Sequence, residues 1–133
     1  MIYNYSLTIP VSTSISDPLE QSIALVPGII RKLDIEFPAG CQGRVGVQIW
    51  RSIHQLWPTN DQAWFVSDDY TISFPEEYEL EEIPWELTLK GYNTSTSQSH
   101  TIKFRFGVLP KKGVWTESLL EALFGKPKTV EIE

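Results

Sequence analysis

The chain has 133 residues, a net charge of −6, 41% hydrophobic and 21% charged residues, and a single cysteine. One core of ordinary globular composition fits that length without a disulfide. Cys41 alone excludes an intramolecular disulfide and a cysteine-based zinc site, and an acidic surface with eleven scattered Lys and Arg residues argues against nucleic acid and anionic membranes as partners.

Period-two alternation dominates the first 110 positions. Tyr3, Tyr5, Leu7 and Ile9 share one parity and predict a strand closed by Pro10, followed by a Ser/Thr-rich loop through Pro18. Leu19, Gln21, Ile23 and Leu25 predict a second strand, stopped by the turn pair Pro27-Gly28. Ile29, Leu33, Ile35 and Phe37 alternate with Lys32, Asp34 and Glu36, so one face is buried and the other wet. Val45, Val47 and Ile49 carry the next strand, with Trp50 on the opposite parity.

The run from Ser52 to Ser67 has no clean period and predicts a long structured loop, with a short strand near His54 to Leu56. Tyr70, Ile72 and Phe74 predict another short strand, and the glutamates around Tyr78 and Leu80 a connecting segment with a solvated acidic face. Trp85, Leu87 and Leu89 alternate, as do Ile102, Phe104, Phe106 and Val108; the polar stretch Asn93 to Ser97 between them suggests a hairpin tip. Seven to eight such strands predict an all-β, antiparallel sandwich, jelly-roll or immunoglobulin-like, over residues 1–110, with a small barrel as the rival. Beyond Pro110 the pattern changes. Trp115, Leu119, Leu120, Leu123 and Phe124 form the stripe of a short amphipathic helix, capped by Thr116 and stopped by Gly125 and Pro127, so residues 111–133 are read as a C-terminal helix and tail.

Little here points to catalysis. His54 and His100 are the only histidines, and no nucleophile elbow accompanies them. There is no phosphate-cradling glycine loop, no metal-binding pair on a helix, and no cofactor is expected. Cys41, between Gly40 and Gly43, reads as a small buried residue. The start of the chain lacks the basic and apolar regions of a signal peptide, and no stretch approaches the roughly 18 apolar residues of a membrane span. Trp50, Trp57, Trp64 and Phe65 are more informative. They fit a mini-core stapling the loop to the sandwich, anchors at a protein interface, or stacking platforms for sugar rings beside His54, Gln55, Asn60, Asp61 and Gln62.

The segments Val26-Pro27-Gly28-Ile29-Ile30, Phe37-Pro38-Ala39-Gly40-Cys41 and His54-Gln55-Leu56-Trp57-Pro58-Thr59-Asn60, with Tyr78-Glu79-Leu80 and Phe106-Gly107-Val108-Leu109-Pro110, resemble short proteins of tailed bacteriophages and prophages, over roughly residues 20–125. Their small sandwich format is similar to that of capsid decoration, or cement, proteins. The resemblance implies a non-enzymatic virion protein on the outer capsid surface, assembled in the host cytoplasm as a homotrimer that binds the major capsid protein and bridges neighbouring subunits. The expected interface residues are Tyr3 and Tyr5 in the N-terminal strand, Trp57, Trp64 and Phe65 in the loop, and Trp115, Leu119 and Phe124 in the helix. The alternatives are another virion part, in the neck, tail or fibre, and a non-catalytic carbohydrate-binding module.

Overall fold

The structure is a computed structural model, and it describes residues 1–110. Two antiparallel sheets pack face to face, consistent with a β-sandwich. Among the described residues nine strands are formed: β1 (Ile2–Ile9), β2 (Leu19–Ala24), β3 (Gly28–Phe37), β4 (Val45–Arg51), β5 (His54–Trp57), β6 (Phe65–Val66), β7 (Tyr70–Leu80), β8 (Glu86–Asn93) and β9 (His100–Pro110). The order is β1-β9-β3-β7 in one sheet and β2-β8-β4-β5 in the other, with β6 also pairing β4. Residues at one parity of each strand meet between the sheets: Leu7 and Ile9, Leu33, Ile35 and Phe37, Val45, Val47 and Ile49, Leu87 and Leu89, and Ile102, Phe104 and Phe106 are all buried. Most alternations in the sequence therefore mark real strands.

Four expectations are corrected. First, β8 and β9 do not form a hairpin. Strand β8 lies between β2 and β4, whereas β9 lies between β1 and β3 in the facing sheet. Residues 94–99 cross the edge of the sandwich, and Asn93 fixes the crossing. Its wholly buried amide donates to the carbonyls of Ile9 (3.2 Å) and Gln98 (2.9 Å) and accepts from the Ser95 N–H (3.0 Å). Second, the acidic run is the second half of one long strand, β7. Inward parity continues through Glu76 and Tyr78 to Leu80, and Glu76 is tolerated there because its carboxylate accepts the Trp57 indole N–H at 2.8 Å. Third, Ile29 does not share the core parity of Leu33. An irregularity between Ile30 and Lys32 shifts the register, so Ile30 is buried and Ile29 faces outward opposite Leu109. Fourth, Trp85 precedes β8 and is exposed, with its indole N–H donating to the Glu81 carbonyl at 3.2 Å. The expected helix and tail, with Trp115, Leu119 and Phe124, lie outside the described residues.

Candidate functional site

The loop aromatics expected at an interface are largely spent inside the subunit. Trp57 is 3% exposed, edge-on to Tyr78 at 5.6 Å between ring centroids, and closes the core beside β7. This corrects its expected interface role, because its ring has no surface left to offer. Phe65 is half-buried against Phe74, with centroids 5.9 Å apart. Trp64 packs edge-on to Tyr92 at 4.8 Å on the outer face of the five-stranded sheet. There Gly46 lies opposite Tyr92, and a Cβ at position 46 would approach the tyrosine ring to 2.3 Å. Gln48 and Gln55 both donate to the Ala63 carbonyl, at 2.7 and 3.2 Å, and hold the loop down. These contacts make the mini-core.

Tyr3 and Tyr5 are half-buried at the inner side of edge strand β1. Tyr5 meets Phe106 edge-on, and its hydroxyl donates to the Ala24 carbonyl, linking the sheets. Burial raises both phenol pKa values; for Tyr3 the neighbouring Tyr5 adds to the effect. Both rings seal a seam of the sandwich and show a partner only their remaining surface.

The side chains left out of the core sit elsewhere. The antiparallel register brings the start of β1, the end of β9, the start of β3 and the end of β7 to one end of the sandwich. The end of β2, the start of β8, the end of β4 and the start of β5 lie there in the other sheet. Met1, Ile2, Ile53, Ile83, Trp85 and Leu109, all exposed, belong to these termini and their turns. Two patches result. On the outer face of the four-stranded sheet, Ile2 (69% exposed) is paired with Gly107, two positions from Leu109 (51% exposed), and Leu109 is directly opposite Ile29. Farther along the same face the residues are Lys103, Arg105, Asp34 and Glu36, with Arg105 Nη1 3.2 Å from Glu36 and Nε 3.5 Å from Asp34. The face is thus apolar at this end and charged farther along.

The second patch borders a groove of about 470 Å³ between the β4–β5 turn and the β7–β8 loop. Its rim carries Ile53 (82% exposed), Ile83 (75% exposed) and Pro84, over Leu56 and Tyr78. Arg51 forms its fixed side, donating to the Tyr78 hydroxyl (3.2 Å), to the Pro84 carbonyl (3.3 Å) and to the Glu82 carbonyl.

Polar chemistry is dispersed. His54 opens β5 at the apolar end, whereas the buried His100 opens β9 at the opposite end, so the fold does not bring the two histidines together. Among the described residues no group of three or more His, Cys, Asp or Glu side chains is placed to hold a metal ion. Cys41 is wholly buried, and that burial, with a smaller contribution from Asp68, pushes its thiol up to about 11. A thiol kept protonated at neutral pH is a poor nucleophile.

The sequence contained a signal for the first patch that the aromatic clustering obscured. Ile2 breaks the wet parity of Asn4, Ser6 and Thr8, and Leu109 breaks that of Thr101, Lys103 and Arg105. An aliphatic side chain on the solvent parity of a strand is out of place unless something covers it. Comparison with protein-family models and with curated proteins finds no match to this chain.

Proposed function

We propose that this chain is a non-catalytic structural protein of a tailed-phage virion, a homotrimeric decoration protein that sits on the outer capsid surface and bridges neighbouring capsid subunits. The observation that carries the reading is the apolar tip of Ile2, Ile29 and Leu109, with Met1, at one end of the outer face of the four-stranded sheet, running from edge strand β1 across β9 to β3. Burying one such side chain fully is worth about 1.5–3 kcal/mol, so a few of them supply an appreciable part of a subunit contact. Modest contacts suffice where many copies act on one lattice.

The strand order lends support. Eight strands arranged 1-9-3-7 over 2-8-4-5 follow the winding of a jelly roll rather than of an immunoglobulin domain, and jelly rolls recur in viral capsid and lectin domains. The acidic surface would keep decorated particles apart. Counting copies per particle by quantitative mass spectrometry tests the assignment. Decoration predicts a number comparable to that of the major capsid protein, and a dozen copies or fewer would place the chain in a neck or tail instead.

A carbohydrate-binding module is the second reading, favoured by a trough of about 360 Å³ on the outer face of the five-stranded sheet. Trp50, Trp64, Gln62 and Lys90 line it, and the Lys90 ammonium lies 3.9 Å from the Trp50 ring centroid. A glycan array with wild-type protein and a Trp50→Ala control decides that reading, which predicts ring-dependent retention of specific sugars.

A further inference from the structure

We propose that the groove between the β4–β5 turn and the β7–β8 loop is the seat of the chain's own C-terminal segment, residues 111–133, whose apolar residues Trp115, Leu119 and Leu123 cover Ile53 and Ile83. Four observations converge on this occupant. The first is where the described chain ends. Pro110 is paired with Gly28, and Gly28 with Leu80, so the chain leaves β9 two strands from the end of β7. Two strand spacings are about 10 Å. The four residues between Pro110 and Trp115 can span about 14 Å. The groove begins two residues beyond Leu80, at Glu82, and is therefore within reach.

The second observation is the sequence of the segment. Trp115, Leu119, Leu120, Leu123 and Phe124 recur at helical spacing and need a cover, since so short an amphipathic stretch is marginal alone. The third is the groove itself. Ile53 and Ile83 are the most exposed large apolar side chains among the described residues, and both line a cleft whose two sides Arg51 ties together. The fourth is charge. The segment begins with Lys111-Lys112 and carries Lys126 and Lys128, while β7 and the loop after it present Glu77, Glu79 and Glu82 to solvent. Basic flanks around an apolar stripe suit a cleft that Glu82 lines, with Glu77 and Glu79 exposed on the outward face of the adjoining strand β7.

This goes beyond the assembly reading and does not depend on it. That reading uses the Ile2, Ile29 and Leu109 patch on the sheet face, a set of residues that does not line the groove.

The test uses the full chain carrying Ile83→Cys and Leu119→Cys, treated with a short bismaleimide; native Cys41 is wholly buried and does not compete. Protein refolded from a mixture of ¹⁵N-labelled and unlabelled chains distinguishes the source of each linked peptide. Same-isotope 83–119 links should exceed mixed-isotope links by at least about tenfold, as an intrachain effective concentration demands. Mixed links in statistical proportion would overturn the proposal and give the groove to a second copy. Absence of any link, with both thiols labelled by a monofunctional maleimide, would overturn it as well. A second measurement avoids new cysteines. In the full chain, Leu119→Asp should speed amide exchange at Ser52 to His54, Glu82 and Ile83 at least about tenfold, leaving β3 and β9 unchanged. Unchanged exchange at those turns would contradict the seat.

Discussion

Removing the Trp57 ring distinguishes a core tryptophan from an interface anchor. The ring is 3% exposed, sits edge-on to Tyr78, and donates its N–H to Glu76 at 2.8 Å. Trp57→Ala deletes the largest side chain closing the core beside β7, and substitutions of this kind cost about 3–5 kcal/mol. Against a typical total of about 5–15 kcal/mol, that brings the midpoint of urea unfolding down by about a fifth or more. Trp57→Phe keeps most of the packing but leaves the Glu76 carboxylate without its donor, and hydrogen bonds to charged groups are worth about 1.5–3 kcal/mol. Glu76→Gln keeps a neutral acceptor and should cost about 1 kcal/mol. Urea titrations followed by circular dichroism, arranged as a double-mutant cycle, give the coupling between the two residues. A coupling indistinguishable from zero, or a Trp57→Ala variant as stable as wild type and defective only in binding, would refute the core assignment.

Other outcomes follow from the same structure. Asn93→Ala strands two carbonyls and one N–H inside the β8–β9 crossing, at about 1–3 kcal/mol for an orphaned group, so loss of at least 2 kcal/mol is expected by chemical denaturation. Gly46→Ala drives a methyl group into the Tyr92 ring and should cost about 1–3 kcal/mol while shifting the fluorescence of the adjacent Trp64. Cys41 should resist thiol reagents at pH 8 in native protein and react on unfolding. Its thiol pKa is raised in the folded state, so the folded chain holds its proton more tightly; the associated stability is intact below about pH 9 and declines toward about pH 11, which alkaline denaturation would reveal.

The strands were legible where an alternation of apolar side chains met an unbroken ladder, as in β1, β4 and β9. They were misread where one residue served a tertiary purpose. Glu76 breaks the apolar parity of β7 because it satisfies an indole two strands away in sequence order, which no local pattern encodes. Against β9, Arg31 is an extra residue in β3 that reverses the sense of Ile29, and a single extra residue is invisible to period counting. The polar stretch after Asn93 suits a hairpin tip and a crossing equally well; what excludes the hairpin is that β8 and β9 each already have two neighbours. The candidate surface was harder to see. Clustered aromatics drew attention to Trp57 and Trp64, which turn inward or lie against the sheet, while isolated aliphatics on wet parity marked the exposed tip.

The mass of the full chain in solution, measured by light scattering across a range of concentrations, tests the assembly account most directly. Wild-type protein is predicted to give three times the 15.2 kDa chain mass, and the Ile2→Asp/Leu109→Asp variant a single chain with an unchanged circular dichroism spectrum. A wild-type protein that stays at the mass of one chain at every concentration, or a double variant that remains trimeric, would contradict it.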